Sequence, residues 1–242
     1  MKRLLATTLI SALALAAADG ARAQAGGRTQ TKGQAPVNVG RLPPVAAQGE
    51  VPVSQGRLEG GTYTNDFFRI SFSTPRGWVA QDMATRQALL ESGKKIFEEG
   101  KGTAKEKTGM EASMQRTVFL LSVSKYDLSA PPPGAFNAQL SFLAERIPTA
   151  VIKTGGDYLT QMMRVAKISS ATLELTGPIR TERVGRVSFA AADAKLTIGA
   201  SVVAQKYFAT VRDGYALLFA FSYVDETDVQ AFEELIKSVR FK

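Results

Sequence analysis

Hydrophobic and polar residues alternate with a period of two over some 50 residues that start at Thr172. Alternation of this kind is typical of half-buried β-strands. It predicts four strands, at 172–182, 184–192, 197–211 and 214–224. The Asp213-Gly214 pair indicates a type I′ hairpin between the last two strands, because both central residues of that turn need positive φ. In the last strand, large side chains share one face and mainly small ones the other, which leaves room for a closely packed helix.

The chain before Thr172 contains both the two-residue period of strands and the 3.6-residue period of helices. Phe68, Ile70 and Phe72 alternate with polar residues and predict a strand over 67–73. A run that is apolar on both faces predicts a central strand over 117–124. The remaining elements are predicted as helices at 83–99 (N-cap Asp82), 136–147, after Gly155-Gly156, and at 226–238 (cap Asp225), with a mobile loop at 100–109. Strands and helices in this order indicate an α+β domain over residues 61–242.

The N-terminus has the pattern of an export signal. A short positive start precedes an apolar stretch from Leu4 to Ala18, and Ala21-Arg22-Ala23 has the small-x-small form of a cleavage site. We expect residues 1–23 to be a signal peptide and the product to be periplasmic or secreted, with no transmembrane anchor after cleavage. Residues 24–60 contain seven Gly and four Pro and no aromatic residue, so we expect a disordered linker there.

Composition removes much of the usual catalytic chemistry. The chain has no His and no Cys, which excludes a histidine base, thiolate nucleophiles, disulfides and thiolate metal sites. We expect no cofactor and no metal. The net charge is +8, but the signal peptide and the linker each carry two of these positive charges, so +4 remains for the domain. This balance is too weak for a nucleic-acid partner and leaves open a weak contact with an anionic surface.

Two stretches resemble PsbP-like domains. The first is Tyr63-Thr64-Asn65-Asp66-Phe67-Phe68-Arg69-Ile70-Ser71-Phe72-Ser73-Thr74-Pro75-Arg76-Gly77-Trp78, which is similar to the opening of such domains. The second is Gly214-Tyr215-Ala216-Leu217-Leu218-Phe219 with the last helix and the terminal Ser238-Val239-Arg240-Phe241. Two departures are Arg69, at a position that is commonly Gly, and the stretch of about 100–170, which does not align.

The resemblance implies an antiparallel sheet with helices on both faces, an α/β/α sandwich. Its members include extrinsic photosystem subunits, a nuclear-import factor that binds a small GTPase, and many bacterial envelope proteins. They share docking to other proteins rather than a catalytic residue set, so the resemblance carries over no site residue.

Candidate catalytic groups are sparse. The Ser-x-x-Lys matches Ser92/Lys95 and Ser122/Lys125 would place a lysine base beside a serine nucleophile, but the first lies mid-helix among charges and the second spans opposite faces of a strand. The adjacent carboxylates at 98–99 and 233–234 diverge on helices. We therefore expect no catalytic residues.

The candidate binding residues fall into two groups. The lysines of the 100–109 segment offer a docking loop for an anionic partner, and two adjacent methionines offer an adaptable apolar surface. These residues are Lys101, Lys105, Lys107, Met162 and Met163. The sequence favours a non-catalytic module of the bacterial envelope that docks a protein partner. The alternatives are a carrier of an apolar small molecule and an envelope hydrolase that works without His or Cys.

Overall fold

The computed structural model describes residues 53–242. The predicted signal peptide and residues 24–52 of the predicted linker lie outside the described residues. The described elements are, in chain order, β1 (Arg57–Glu59), β2 (Thr62–Asn65), β3 (Ile70–Ser73), β4 (Val79–Ala80), α1 (Met83–Glu98), α2 (Ala104–Met114), β5 (Thr117–Ser124), β6 (Gln139–Arg146), α3 (Gly155–Ala166), β7 (Thr172–Leu175), β8 (Arg180–Val184), β9 (Val187–Ile198), β10 (Ser201–Arg212), β11 (Tyr215–Tyr223), α4 (Thr227–Ser238) and β12 (Arg240–Phe241).

An antiparallel sheet with the order β4-β5-β6-β11-β10-β9-β7 forms the centre of the domain. Strand β8 pairs with the same edge of β9 as β7 does, at a different part of that long strand. Strands β9, β10 and β11 follow one another as hairpins. Asp213 and Gly214 have φ values of 50° and 81°, which confirms the predicted positive-φ turn between β10 and β11. A second sheet has the order β1-β2-β3-β12, so the last residues of the chain pair with its first long alternating strand.

Helices lie on both faces of the large sheet. On one face, α1, α2 and α3 contribute buried side chains such as Ile96, Met110 and Leu159 to one core. On the other face, α4 and the small sheet form a second core with Phe232 and Phe72. The domain is therefore an α/β/α arrangement, as the resemblance implied.

The β11 strand shows how the sequence builds the two cores. Leu217, Phe219 and Phe221 face the core with α4, whereas Ala216 and Ala220 face the core with α3. The small side chains admit a close helix, as predicted. The same close packing is visible at Gly155, the first residue of α3, where an added Cβ would lie 2.0 Å from the carbonyl oxygen of Ala209 on β10.

Arg69 occupies the β2–β3 turn with a φ of 51°. This left-handed conformation is costly for a residue with a Cβ and costs glycine almost nothing. The structure therefore gives a physical reason why glycine is common at this position in PsbP-like domains.

Two predictions about the middle of the chain are wrong. The segment predicted as a helix at 136–147 contains strand β6 (Gln139–Arg146) instead, because apolar residues spaced at i, i+3 and i+7 serve equally well in a strand buried on both faces. The expected loop at 100–109 contains the start of helix α2. Thr103 and Glu106 form a capping box, in which the Thr103 side chain accepts from the Glu106 backbone N–H and the Glu106 carboxylate accepts from Thr103.

Several boundaries also differ from those predicted; the strand expected at 184–192, for example, runs from Val187 to Ile198. The strand expected at 172–182 is split into β7 and β8 by residues 176–179, which include Gly177-Pro178. The end of the predicted linker contains β1, because its residues pair with β2 as a hairpin. Helix α4 has Glu226 as N-cap, while the Asp225 carboxylate still accepts from the Thr227 N–H at 2.9 Å.

Candidate functional site

A groove of about 430 Å³ opens on the α4 face of the large sheet, between α4 and strands β8 and β10. We call it the α4 groove. Its floor is apolar and consists of Val184, Phe208, Phe232 and Ile236. The Phe208 and Phe232 rings meet edge to face at 5.6 Å, which fixes α4 against β10. The floor exists because α4 turns its apolar positions towards the sheet and β10 alternates Lys206 with Phe208 on this face.

One wall of the groove is an ion-pair network. The Asp193 carboxylate on β9 accepts from Lys206 Nζ at 2.8 Å and from the Arg180 guanidinium at 2.5 Å. Asp193 and Lys206 are directly opposite each other in the β9–β10 register. Arg180 also binds the Glu182 carboxylate at 2.7 Å. The network holds two cations at fixed positions above the apolar floor.

The electrostatics of this wall favour the charged forms of Asp193 and Lys206. Burial opposes ionisation of Asp193, but the hydrogen bonds from Lys206 and Arg180 outweigh it and lower the pKa of Asp193. Burial likewise favours the neutral amine of Lys206, yet its hydrogen bond to Asp193 raises the pKa of Lys206 above its usual value. A lysine in this state is a poor base and a poor nucleophile, because both roles need the free amine.

The mouth of the groove carries exposed charges. Arg183 is exposed on β8 and forms no ion pair with another described residue. Lys237 on α4 also lines the groove. Its Nζ is 3.9 Å from Glu233 Oε2, and its side chain is 76% exposed. With Asp193 of the wall included, lysine and arginine outnumber carboxylates at the groove by four to three. The groove combines an apolar floor with a cationic mouth, which suits a ligand that is apolar at its tip and acidic beside it.

Sequence reasoning did not identify the α4 groove. The signal that was available is the alternation of charged and aromatic residues in β10, where Lys206 and Phe208 share a face. Which side of that strand stays uncovered depends on the position of α4, and this position follows from tertiary packing alone.

The three predicted lysines differ in their contacts. Lys101 is exposed between α1 and α2, and Lys105 is exposed in the first turn of α2. The Lys107 ammonium donates to the carbonyl oxygen of Glu98 and so closes the last turn of α1. Whether these lysines bind an anionic partner stays a prediction.

The two predicted methionines differ in exposure. Met162 is 1% exposed and lies within the core between α3 and the sheet. Met163 is partly buried against the same core. Packing accounts for Met162, and a ligand-binding role for either residue stays a prediction.

Neither Ser-Lys pair is assembled for catalysis. The Ser92 hydroxyl donates to the Ala88 carbonyl oxygen within α1. Lys125 Nζ binds the Asp228 carboxylate at 2.7 Å, and that hydrogen bond raises the pKa of Lys125. Ser122 lies on the other face of the sheet from Lys125. In the described part of the chain, no group of three or more acidic side chains is placed to hold a metal ion.

Comparison with known proteins gives similarities in structure. No family model and no curated sequence matches the chain. The chain is similar to the solution structure of cyanobacterial PsbP from Synechocystis sp. PCC 6803, with a TM-score of 0.47, 15% identity, and coverage of 83% of this chain and 100% of that one. It is also similar to a crystal structure from Bacteroides thetaiotaomicron VPI-5482, with a TM-score of 0.40 and 10% identity.

The second similarity covers 76% of this chain, which spans about half, 49%, of the Bacteroides chain. Within residues 53–242, none of the helices is long and apolar enough to cross a membrane.

Proposed function

We propose that this chain is a non-catalytic binding module that docks a protein partner through the α4 groove, and that it does so after export to the bacterial cell envelope. The observation that carries the proposal is the groove itself, in which a partly exposed ion-pair network stands beside an apolar floor. The export signal in the sequence supports the location. The docking role agrees with what the resemblance to PsbP-like domains implies.

The chemistry of the groove describes the partner. Its floor takes an apolar side chain, because Phe208, Phe232 and Ile236 offer carbon surface and no hydrogen-bonding group. Its mouth favours carboxylates, because Arg183 and Lys237 carry charges that the described carboxylates only partly balance. We therefore expect a partner segment in which an aliphatic or aromatic residue is flanked by Asp or Glu.

The state of the polar groups supports binding over catalysis at this site. The ammonium of Lys206 is held protonated by Asp193, and the guanidinium of Arg180 is always charged. Such groups can steer and hold an anion but cannot accept a proton at neutral pH. A hydrolase would need a free base next to a nucleophile, and the residues around the groove do not supply that pair.

Site-specific photo-crosslinking in the source cells tests the proposal. A benzophenone amino acid would replace Arg183 at the mouth of the groove or, as the matched control, Glu174, which is exposed on β7 at the same sheet edge. We expect a discrete crosslinked protein from position 183 and none from position 174. In the Lys237→Glu background, the product from position 183 should weaken severalfold, because a repulsive charge then faces the acidic partner.

Two results would overturn the proposal. One is the same set of crosslinked products from both positions. The other is a crosslinked product from position 183 that forms equally well with Lys or Glu at position 237. In that case the product would also be abolished by a charge reversal at Lys105, far from the groove.

A further inference from the structure

An open groove of about 400 Å³ lies between α1 and α2, on the opposite face of the large sheet from the α4 groove. We call it the α1–α2 groove. It is lined by residues of both helices and of the turn that follows α2: Leu90, Glu91, Lys94, Glu111, Met114 and Gln115. Leu90 and Met114 are only partly buried against the core, so their side chains leave carbon surface in contact with water.

The rim of the α1–α2 groove is acidic. Glu91 and Glu111 are exposed, and neither forms an ion pair with another described residue. Lys94, the cation among these lining residues, lies 3.6 Å from the Glu98 carboxylate, so a group outside the groove balances its charge. The groove therefore fits a segment in which a positive charge stands next to apolar side chains.

The described part of the chain begins beside α1. The Tyr63 hydroxyl donates to the Gln55 carbonyl oxygen at 2.7 Å, and Tyr63 interacts electrostatically with Arg86 on α1. Leu90 lies one turn further along the same helix, about 6 Å along its axis. Residues 53–55 are therefore held on the side of the domain where the α1–α2 groove opens.

The predicted linker contains a segment of the required chemistry. Residues 24–52 carry the cations Arg28, Lys32 and Arg41. The first two have Gly and Thr as neighbours, whereas Arg41 is followed by Leu42-Pro43-Pro44-Val45. Consecutive prolines favour an extended conformation before binding, so docking of such a segment loses little conformational entropy.

The length of the linker suits docking within one chain. Pro44 lies nine residues before Val53. The sequence predicts no regular structure between them, and a flexible chain of this length has a root-mean-square end-to-end distance of about 17 Å. A short flexible connection gives the tethered segment an effective concentration of about 1 mM at a nearby site. Even a contact with a Kd of about 1 mM is then occupied about half of the time.

We infer that residues 41–45 dock into the α1–α2 groove of the same chain, with Arg41 at the Glu91 and Glu111 carboxylates and Leu42 on the apolar part of the groove. The α4 groove does not suit this segment, because its mouth is itself cationic. The docked linker leaves the α4 groove free, so the inference is independent of the proposed function.

Paramagnetic relaxation measured by NMR on the full chain tests the inference. The chain has no Cys, so Ala46→Cys accepts one nitroxide label directly after the docking segment. We expect the label to enhance the relaxation of the Leu90 and Gln115 backbone amides severalfold more than that of Glu234, which is exposed on α4.

Charge reversals separate docking from chance encounters of a tethered label. Arg41→Glu should lower the enhancement at Leu90 about threefold, because a contact that is about fivefold weaker reduces the docked fraction from about a half to about a sixth. Arg28→Glu is the matched control in the same linker and should leave the enhancement unchanged. Glu111→Lys alone should act like Arg41→Glu, and the two together should restore the enhancement. The amide spectrum of each variant verifies that the domain is folded.

Three results would overturn the inference. Equal enhancement at Leu90 and Glu234 would mean that the linker samples the whole surface. Equal effects of Arg41→Glu and Arg28→Glu would mean unspecific attraction between charges. The third result comes from a mixture of nitroxide-bearing chains with isotope-labelled chains that lack the nitroxide. Enhancement in this mixture as strong as within one chain would assign the groove to the linker of a second copy.

Discussion

The close approach of α3 to the sheet makes Gly155 a sharp test of the packing. In Gly155→Ala, the new Cβ would lie 2.0 Å from the carbonyl oxygen of Ala209, 2.6 Å from its carbonyl carbon and 3.2 Å from the Ala190 Cβ. The first two are backbone atoms in the middle of a sheet and cannot rotate away. Helix α3 must therefore move outward by about 1 Å, which loosens core contacts and places the change in the overpacking class, at about 3 kcal/mol.

Gly156→Ala is the matched control, because its Cβ would meet only Thr154 Oγ1, at 3.6 Å. That substitution should be neutral or stabilise the protein by up to about 1 kcal/mol through helix propensity. Denaturant unfolding measures both free energies, and Gly155→Ala should also lower the Tm by about 6–12 °C. Equal stabilities of the two variants would refute the contact between α3 and β10.

Three further predictions concern the groove wall and two turns. Asp193→Asn leaves Arg180 and Lys206 without their shared carboxylate and should cost about 1–2 kcal/mol at neutral pH. Because the pKa of Asp193 is lowered, this contribution is full above about pH 4 and is lost as the pH falls through the lowered value, so urea unfolding should show the difference between wild type and variant closing in acid. Gly214→Ala forces a Cβ onto a residue with a φ of 81° and should cost about 1 kcal/mol, measured by thermal unfolding; no loss would contradict the turn type. Arg69→Gly should raise the free energy of unfolding by up to about 1 kcal/mol, because glycine tolerates the φ of 51°, and a loss of stability would show that the Arg69 side chain matters more than its backbone.

Strong local signals in the sequence predicted much of the fold. The alternation after Thr172 and the Asp213-Gly214 pair led to the β9–β11 meander, and apolar spacing led to α1, α3 and α4. The prediction failed where local signals were ambiguous. Strand β6 is buried on both faces, and its apolar residues match helical spacing by chance, whereas α2 has almost no apolar periodicity to reveal it.

The candidate site depends on contacts between residues far apart in the chain. The α4 groove joins Arg180, Lys206 and Phe232, which lie on three different elements. No spacing within the sequence relates these residues, since sheet register is set by which strands become neighbours.

Amino-acid composition limits the chemistry open to this protein, and backbone sterics set the conformations of its turns, because both act within a few residues. The lack of His and Cys, the positive-φ hairpin and the two-faced pattern of β11 are all readable in this way. Where the functional groups meet depends on tertiary packing. The position of α4 leaves part of one sheet face open as a groove, because packing of distant segments determines which groups lose water and which keep it.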